Sequence, residues 1–256
     1  MLDVALFGAT GRMGGAVLDA LRTESDLRLV GALASPRSEW LGRDAGEAAG
    51  IGALGVVVTD DPPVALAGAQ VCIDFSIADA AGRNLEACLQ RECPLVLGVT
   101  ALDDAFQARV RAAATRIPIV QSPNMSLGVN LCFALVERAA RVLGDYDVEV
   151  VDVHHRHKRD APSGTALRFG ELIEAARGRG AGARPPRFSS VRMGEVAGEH
   201  TVLFANATER VEITHRTAGR APFAAGALAA ARWVGAQRPG LYGMQDVLGL
   251  ERSLPA

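Results

Sequence analysis

Several features that would place a chain outside ordinary globular chemistry are scarce here. There are four cysteines, Cys72, Cys88, Cys93 and Cys132. None forms a CxxC pair and all have apolar neighbours, so neither a disulfide framework nor a zinc site is indicated, and a reducing cytoplasm fits best. Aromatic residues make up only 5%, too few to suggest stacking platforms for nucleic-acid bases. Neither sign of charge dominates: 27 Lys and Arg against 29 Asp and Glu give a net charge of -2, without the broad attraction that a polyanion binder needs. Any anion it binds should be small. No run of about 18 uncharged apolar residues suits a membrane span, and the start, M-L-D-V-A-L-F-G, lacks a basic leader region, so neither membrane insertion nor secretion is expected. What is present is 49% hydrophobic and 22% charged residues over 256 positions, enough for one large domain or two small ones with a real core.

From residue 2 to about 121, short apolar runs alternate with longer amphipathic stretches, the pattern of buried parallel strands and their crossover helices. Strands are predicted at 4–8, 27–34, 56–59, 71–75, 95–98 and 117–121, with helices at 11–23, 78–91 and 102–115. In the first helix Met13, Val17, Ala20 and Leu21 share a face. The fold class that follows is α/β, a Rossmann-like parallel sheet whose ligand crevice lies at the carboxyl ends of the strands. After a helix at 127–143 the texture changes. Strands at 146–155, 189–193, 199–205 and 209–217, interrupted by a helix at 163–177, predict a smaller α+β domain with a mixed or antiparallel sheet. The Gly- and Pro-rich stretch 178–186 reads as a mobile surface loop. The expected division is 1–124 for a dinucleotide-binding domain and 125–220 for a substrate domain, with a helix at 223–236 carrying segment 221–256 back onto the first.

Two motifs carry chemistry. Gly8-Ala9-Thr10-Gly11-Arg12-Met13-Gly14 lies where the first strand should end and the first helix begin, a place for a pyrophosphate. Its spacing is GxxGxxG rather than GxGxxG, so a tight turn with close helix packing explains the glycines equally well until its position in the sheet is considered. The second strand ends without the acidic residue that receives ribose hydroxyls; Ser35, Pro36 and Arg37 stand there, favouring a 2′-phosphate and hence NADPH, with NADH as the alternative. Further strand ends place Asp74-Phe75-Ser76, Gly98-Val99-Thr100 and Ser122-Pro123-Asn124-Met125 along the same edge. The second motif runs from Asp152 through His154, His155, His157 and Lys158 to Pro162-Ser163-Gly164-Thr165-Ala166. On an extended strand Asp152 and His154 share a face, so a carboxylate holds an imidazole that titrates near neutrality. A helix starting at Ser163 offers its first amides, near Gly164 and Thr165, to a carboxylate. A metal on the three histidines is disfavoured by their spacing, and a solvated basic edge is the plain alternative.

Together these strings resemble the 4-hydroxy-tetrahydrodipicolinate reductases, also called dihydrodipicolinate reductases, over nearly the whole chain. The resemblance rests on GxxGRMG at 8–14, D-F-S at 74–76, G-x-T at 98–100, N-x-S-x-G-V-N at 124–130, H-H-R-H-K-x-D-A-P-S-G-T-A at 154–166, G-E-H-T at 198–201 and E-I-T-H-R at 212–216. It implies a reductase that takes hydride from NADPH or NADH to a cyclic imine dicarboxylate in lysine and diaminopimelate synthesis. His154 is then the proton donor or acceptor and Lys158 a second proton donor, while His155, Gly164 and Thr165 bind the substrate. Gly8, Ala9, Thr10, Gly11, Arg12, Met13, Gly98, Val99, Thr100, Ser122, Pro123, Asn124 and Met125 hold the cofactor, and Arg220 and Phe223 approach it. No resident metal is implied, and a homotetramer built through the sheet of the substrate domain is expected. There are three departures from the family pattern: Asp152 where Glu is usual, Val99 where Thr is frequent, and Ser35-Pro36-Arg37 in place of an acidic-basic pair. Other classes compatible with the residues are a non-catalytic dinucleotide sensor and a dehydrogenase of another amino-acid precursor such as aspartate semialdehyde. The latter would need a nucleophilic cysteine that no loop here supplies.

Overall fold

The computed structural model describes residues 1–178 and 184–250. The chain divides into two compact units, one made of Met1–Leu127 with the chain from Phe223 onward, the other of Gly128–Pro222.

The first unit is built on a seven-stranded sheet. Its strands are β1 (Leu2–Phe7), β2 (Leu27–Leu33), β3 (Val58–Thr59), β4 (Val71–Asp74), β5 (Leu95–Leu97), β6 (Pro118–Gln121) and β11 (Gly240–Tyr242). They lie in the order β11-β6-β5-β4-β1-β2-β3, every neighbouring pair parallel. Parallel strands need crossovers, and the helices α1 (Arg12–Leu21), α4 (Ala78–Gln90) and α5 (Asp104–Ala113) provide them. Along β1 the alternation of side chains explains why the strand is apolar from Val4 onward. Val4 and Leu6 enter one core with Val17 and Leu18 of α1 and Leu228 of α8 (Ala221–Val234). Ala5 and Phe7 enter another with Leu85 of α4 and Val110 of α5. Both faces are covered, and each fully buried Leu or Phe contributes about 1.5–3 kcal/mol.

The six predicted parallel strands are all present: 4–8 is found as Leu2–Phe7, starting two residues earlier, 56–59 shrinks to Val58–Thr59, and the other four are each one residue shorter. Strand β11 was not predicted, nor were the one-turn helices α2 (Ala45–Ala48), α3 (Pro62–Ala65) and α9 (Met244–Val247). They are too short to show a period.

The second unit carries a four-stranded sheet, order β10-β9-β7-β8. Its strands are β7 (Asp147–His154), β8 (Arg187–Arg192), β9 (Gly198–Ala205) and β10 (Arg210–Thr217). The β7/β8 pair is parallel and joined through α7 (Gly164–Arg177), whereas β7/β9 and β9/β10 are antiparallel, so the sheet is mixed. The β9/β10 hairpin closes on Asn206, whose Oδ1 accepts from the Thr208 and Glu209 amides at 2.8 and 2.9 Å. The core sets Val148, Val150, Val202 and Phe204 against Phe133 and Val136 of α6 (Leu127–Val142) and Phe169 and Ile173 of α7. Of the predicted loop 178–186, residues 179–183 lie outside the described part of the chain. Among the described residues no helix is long and apolar enough to cross a membrane.

Candidate active site

In the first unit the loop between β1 and α1 is shaped by close main-chain approach. Gly8 has φ +77°, and a Cβ there would lie 2.6 Å from the Phe75 carbonyl oxygen. A Cβ on Gly14 would lie 2.2 Å from the Gly8 carbonyl oxygen, so the first turn of α1 rests directly on the loop. The Gly8 and Ala9 amides both donate to Leu33 O at 2.9 Å, and Gly11 donates to Gly8 O at 3.0 Å. Gly11 caps α1 without a side chain, and no acidic residue stands in the first turn, so nothing in that turn offsets the positive end of the helix dipole. Such a cradle fits a pyrophosphate.

The neighbouring strand ends complete this edge. Asp74 is buried at the end of β4; its carboxylate accepts from the Ser76 amide at 2.7 Å and from Asn84 Nδ2 at 3.0 Å. Burial raises its pKa, and the bonds from Ser76 and Asn84 offset this only in part. The Phe75 ring fills the space a Cβ at Gly98 would take, 2.3 Å from its Cε1. Thr100 is exposed, while Val99 is 5% exposed and packs in the core. Ser122 Oγ donates to Asn124 O at 2.7 Å, Asn124 Oδ1 accepts from the Ser126 amide at 2.9 Å, and Met125 is buried while Pro123 is exposed. In the loop after β2, Ser35 Oγ accepts from the Arg37 amide at 3.3 Å, and the Arg37 side chain is exposed, as is Arg12. Thr10 and Met13 are half-buried and Ala9 is buried.

In the second unit Asp152 and His154 occupy alternate, inward positions at the end of β7, as the strand period requires. Asp152 is 0% exposed and sits at the centre of a network. Its Oδ1 lies 2.8 Å from His154 Nδ1, within ion-pair distance but without the alignment of a good hydrogen bond. Ser163 donates twice, its hydroxyl to Oδ1 at 2.8 Å and its amide to Oδ2 at 2.9 Å. Arg192 Nη2 donates to Oδ2 at 2.9 Å, and His200 Nε2 lies 3.3 Å from Oδ1 and 3.2 Å from Ser163 Oγ. With its own proton given to Asp152, the Ser163 hydroxyl accepts from Ala166 N at 3.2 Å, which leaves its other lone pair for His200 Nε2–H. Burial alone would raise the Asp152 pKa, yet the groups from His154, His200 and Ser163 carry it far below the usual carboxylate range. It is ionised throughout the neutral range.

Ser163 is thus both the N-cap of α7 and a ligand of Asp152, which anchors the helix start bearing Gly164 and Thr165 against β7. The peptide bond entering this turn, Ala161–Pro162, is cis. Lys158 Nζ pairs with Asp160 Oδ2 at 2.9 Å, and His155 is half-buried with its ring 6.2 Å from that of His157. Arg220 is exposed just before α8, and Phe223 on that helix is half-buried. Arg192 was not singled out from sequence, and His200 and Asp160 stood within the motif strings without a role of their own. For His200 a signal existed, because it falls on the same strand parity as Val202 and Phe204 and so had to point inward. Asp152, His154 and His200 also form a group of potential metal ligands, the one such group among the described residues, with ligand atoms within 4.8 Å of one another. The carboxylate's acceptor positions are taken by a guanidinium and a serine, so a hydrogen-bond network is the chemistry this cluster supports.

The family comparison agrees with both halves. Residues 2–125 match the model described as dihydrodipicolinate reductase, N-terminus, and residues 128–248 match dihydrodipicolinate reductase, C-terminus. The chain belongs to the dihydrodipicolinate reductase family. It is 49% identical to the 4-hydroxy-tetrahydrodipicolinate reductase of Thiobacillus denitrificans, over 97% of this chain and 98% of that one. It is 45% identical to the enzyme of the same name from Neisseria gonorrhoeae, again over 97% and 98%. Among solved structures it resembles a dipicolinate-bound dihydrodipicolinate reductase from a Paenisporosarcina species, with a TM-score of 0.81 at 21% identity, covering 97% of this chain and all of that one. An amine dehydrogenase from Mycobacterium smegmatis shares the fold at a TM-score of 0.68 and 14% identity. This dihydrodipicolinate reductase family member is accordingly an oxidoreductase that uses a nicotinamide cofactor.

Proposed function

We propose that this chain reduces 4-hydroxy-tetrahydrodipicolinate to tetrahydrodipicolinate, with NADPH preferred over NADH. The observation that carries the reading is an ionised, buried Asp152 placed 2.8 Å from His154 Nδ1, in a chain whose relatives at 45–49% identity bear that reductase name. Asp152 faces Nδ1 of the ring, which leaves Nε2 to hold or deliver a proton where negative charge develops in the substrate. Lys158 is the second proton donor, its Nζ paired with Asp160 Oδ2 at 2.9 Å. His155, Gly164 and Thr165 bind a substrate carboxylate, the last two at the positive end of α7.

The dinucleotide would be held by Gly8, Ala9, Thr10, Gly11, Arg12 and Met13, with Gly98, Val99, Thr100, Ser122, Pro123, Asn124 and Met125 along the remaining edge; Arg220 and Phe223 are assigned to it by the family resemblance. When bound it supplies the hydride. Preference for NADPH is supported by Ser35 and the exposed Arg37, with no carboxylate directly at the end of β2 to repel a 2′-phosphate. Assembly is read as a homotetramer through the face of the mixed sheet bearing Val151, Val153, Val191 and Leu203, which are half-buried or exposed in the single chain. A cytoplasmic setting accords with four free, buried cysteines.

The deciding experiment follows NADPH absorbance with enzymatically generated substrate, repeated with NADH. Substrate-dependent oxidation, faster with NADPH, is expected; tight NADPH binding without turnover would replace the enzyme with a sensor.

A further inference from the structure

We propose that Arg192 is a positioning residue for the two proton-donating groups, an inference that rests on the reaction proposed above. Arg192 ends β8 and stands beside His154 in the parallel β7/β8 register. Its side chain is 16% exposed. The guanidinium is divided between the two groups that hold His154 and Lys158. Nη2 donates to Asp152 Oδ2 at 2.9 Å and to Asp160 O at 2.6 Å, while Nη1 donates to Asp152 O at 3.2 Å and Val191 O at 2.8 Å. Asp152 faces His154 Nδ1 and Asp160 pairs with Lys158 Nζ. One planar cation therefore ties the strand that presents the imidazole to the loop that presents the ammonium.

Only a fork of fixed donors serves acceptors in these directions at once; an ammonium on a flexible stem reaches one or two of them. The loop between His155 and Ser163 has few other main-chain anchors: Arg156 N to Gly194 O at 3.2 Å, and Lys158 N to His155 O at 3.1 Å. Without the guanidinium, Asp160 and with it Lys158 lose their tie to the sheet, and the fully buried Asp152 carboxylate loses its cationic partner. Every partner of the guanidinium lies in the Gly128–Pro222 unit, so dinucleotide affinity should not respond.

The test uses the full-length chain carrying R192K or R192Q, assayed with NADPH and enzymatically generated substrate beside the wild type. For R192Q, kcat should fall about 30- to 100-fold, the scale of an ångström's misplacement, with NADPH dissociation by fluorescence titration changed by less than about twofold. R192K should recover about three- to tenfold of that loss, because charge returns without the fork. Wild-type kcat per folded molecule in R192Q, with only the unfolding temperature lowered, overturns the proposal. If R192Q does not fold, R192K decides alone: full kcat overturns the proposal and a partial loss supports it. An inactive wild type in the same assay removes the reaction assignment and this inference with it, an outcome distinct from an active wild type whose variants are indifferent.

Discussion

In the Met1–Leu127 unit the candidate dinucleotide loop is made of main chain: Gly8 at positive φ, Gly14 against the Gly8 carbonyl, and amides tied to Leu33 O. In the Gly128–Pro222 unit the candidate proton-transfer site is made of side-chain charge, with Asp152 receiving Ser163, Arg192 and His200 from three other segments. The first construction tolerates changes of polarity and is intolerant of a single added carbon. The second would absorb small changes of volume but not the loss of one charge, because a buried ion left alone retains its desolvation cost. Shape and charge are thus separated between the two units.

That separation is open to attack by substitution. The largest effect is expected at His154: His154→Gln should lower kcat by about two to four orders of magnitude while NADPH affinity stays within about twofold. Steady-state kinetics beside a binding titration check this, and wild-type turnover would remove the imidazole from the mechanism. Next, Asp152→Asn leaves Arg192 buried without its counter-ion and should cost about 3–5 kcal/mol in urea unfolding monitored within the second unit. A loss under about 1 kcal/mol would mean the network is not the keystone described. Gly14→Ala, which sets a Cβ 2.2 Å from the Gly8 carbonyl oxygen, should weaken NADPH binding about tenfold or more, with little change in the unfolding of the second unit. Unchanged affinity would show that the loop yields easily.

A smaller effect concerns pH. The Asp152 pKa is depressed in the folded chain, so its stabilisation is complete above the ordinary carboxylate value of 3.8 and is lost as pH falls below it through the folded value. Between pH 5 and 3, Asp152→Asn should therefore narrow its stability deficit only slightly. Further acidification should bring the two proteins together, as measured by unfolding temperature. The smallest effect belongs to the surface pair Arg216–Glu199, 3.2 Å apart with side chains 69% and 36% exposed; Arg216→Ala should cost under about 1 kcal/mol and leave kcat alone.

Much of the first unit was legible because its signals are local. A strand such as β1 and its following glycine loop occupy consecutive residues, and both faces of that strand are apolar for the same reason. Asp152 and His154 were legible as a pair because two residues of spacing suffice to place them on one face. Arg192 was not, since its acceptor lies 40 residues away and is brought near by a parallel pairing that no local period encodes. Strand β11 escaped for another reason: three residues beginning at the glycine of Pro239-Gly240 carry no alternation to read.

Helix α8 from Phe223 onward and strand β11 belong to the first unit although they follow the second in the chain, and β11 forms the outer edge of the parallel sheet beside β6. During synthesis the ribosome therefore releases the inserted unit before the residues that close the sheet and bury Val4 and Leu6 beneath Leu228. The nascent amino-terminal half must wait with an uncovered flank, and its maturation is timed by how fast the intervening stretch is translated.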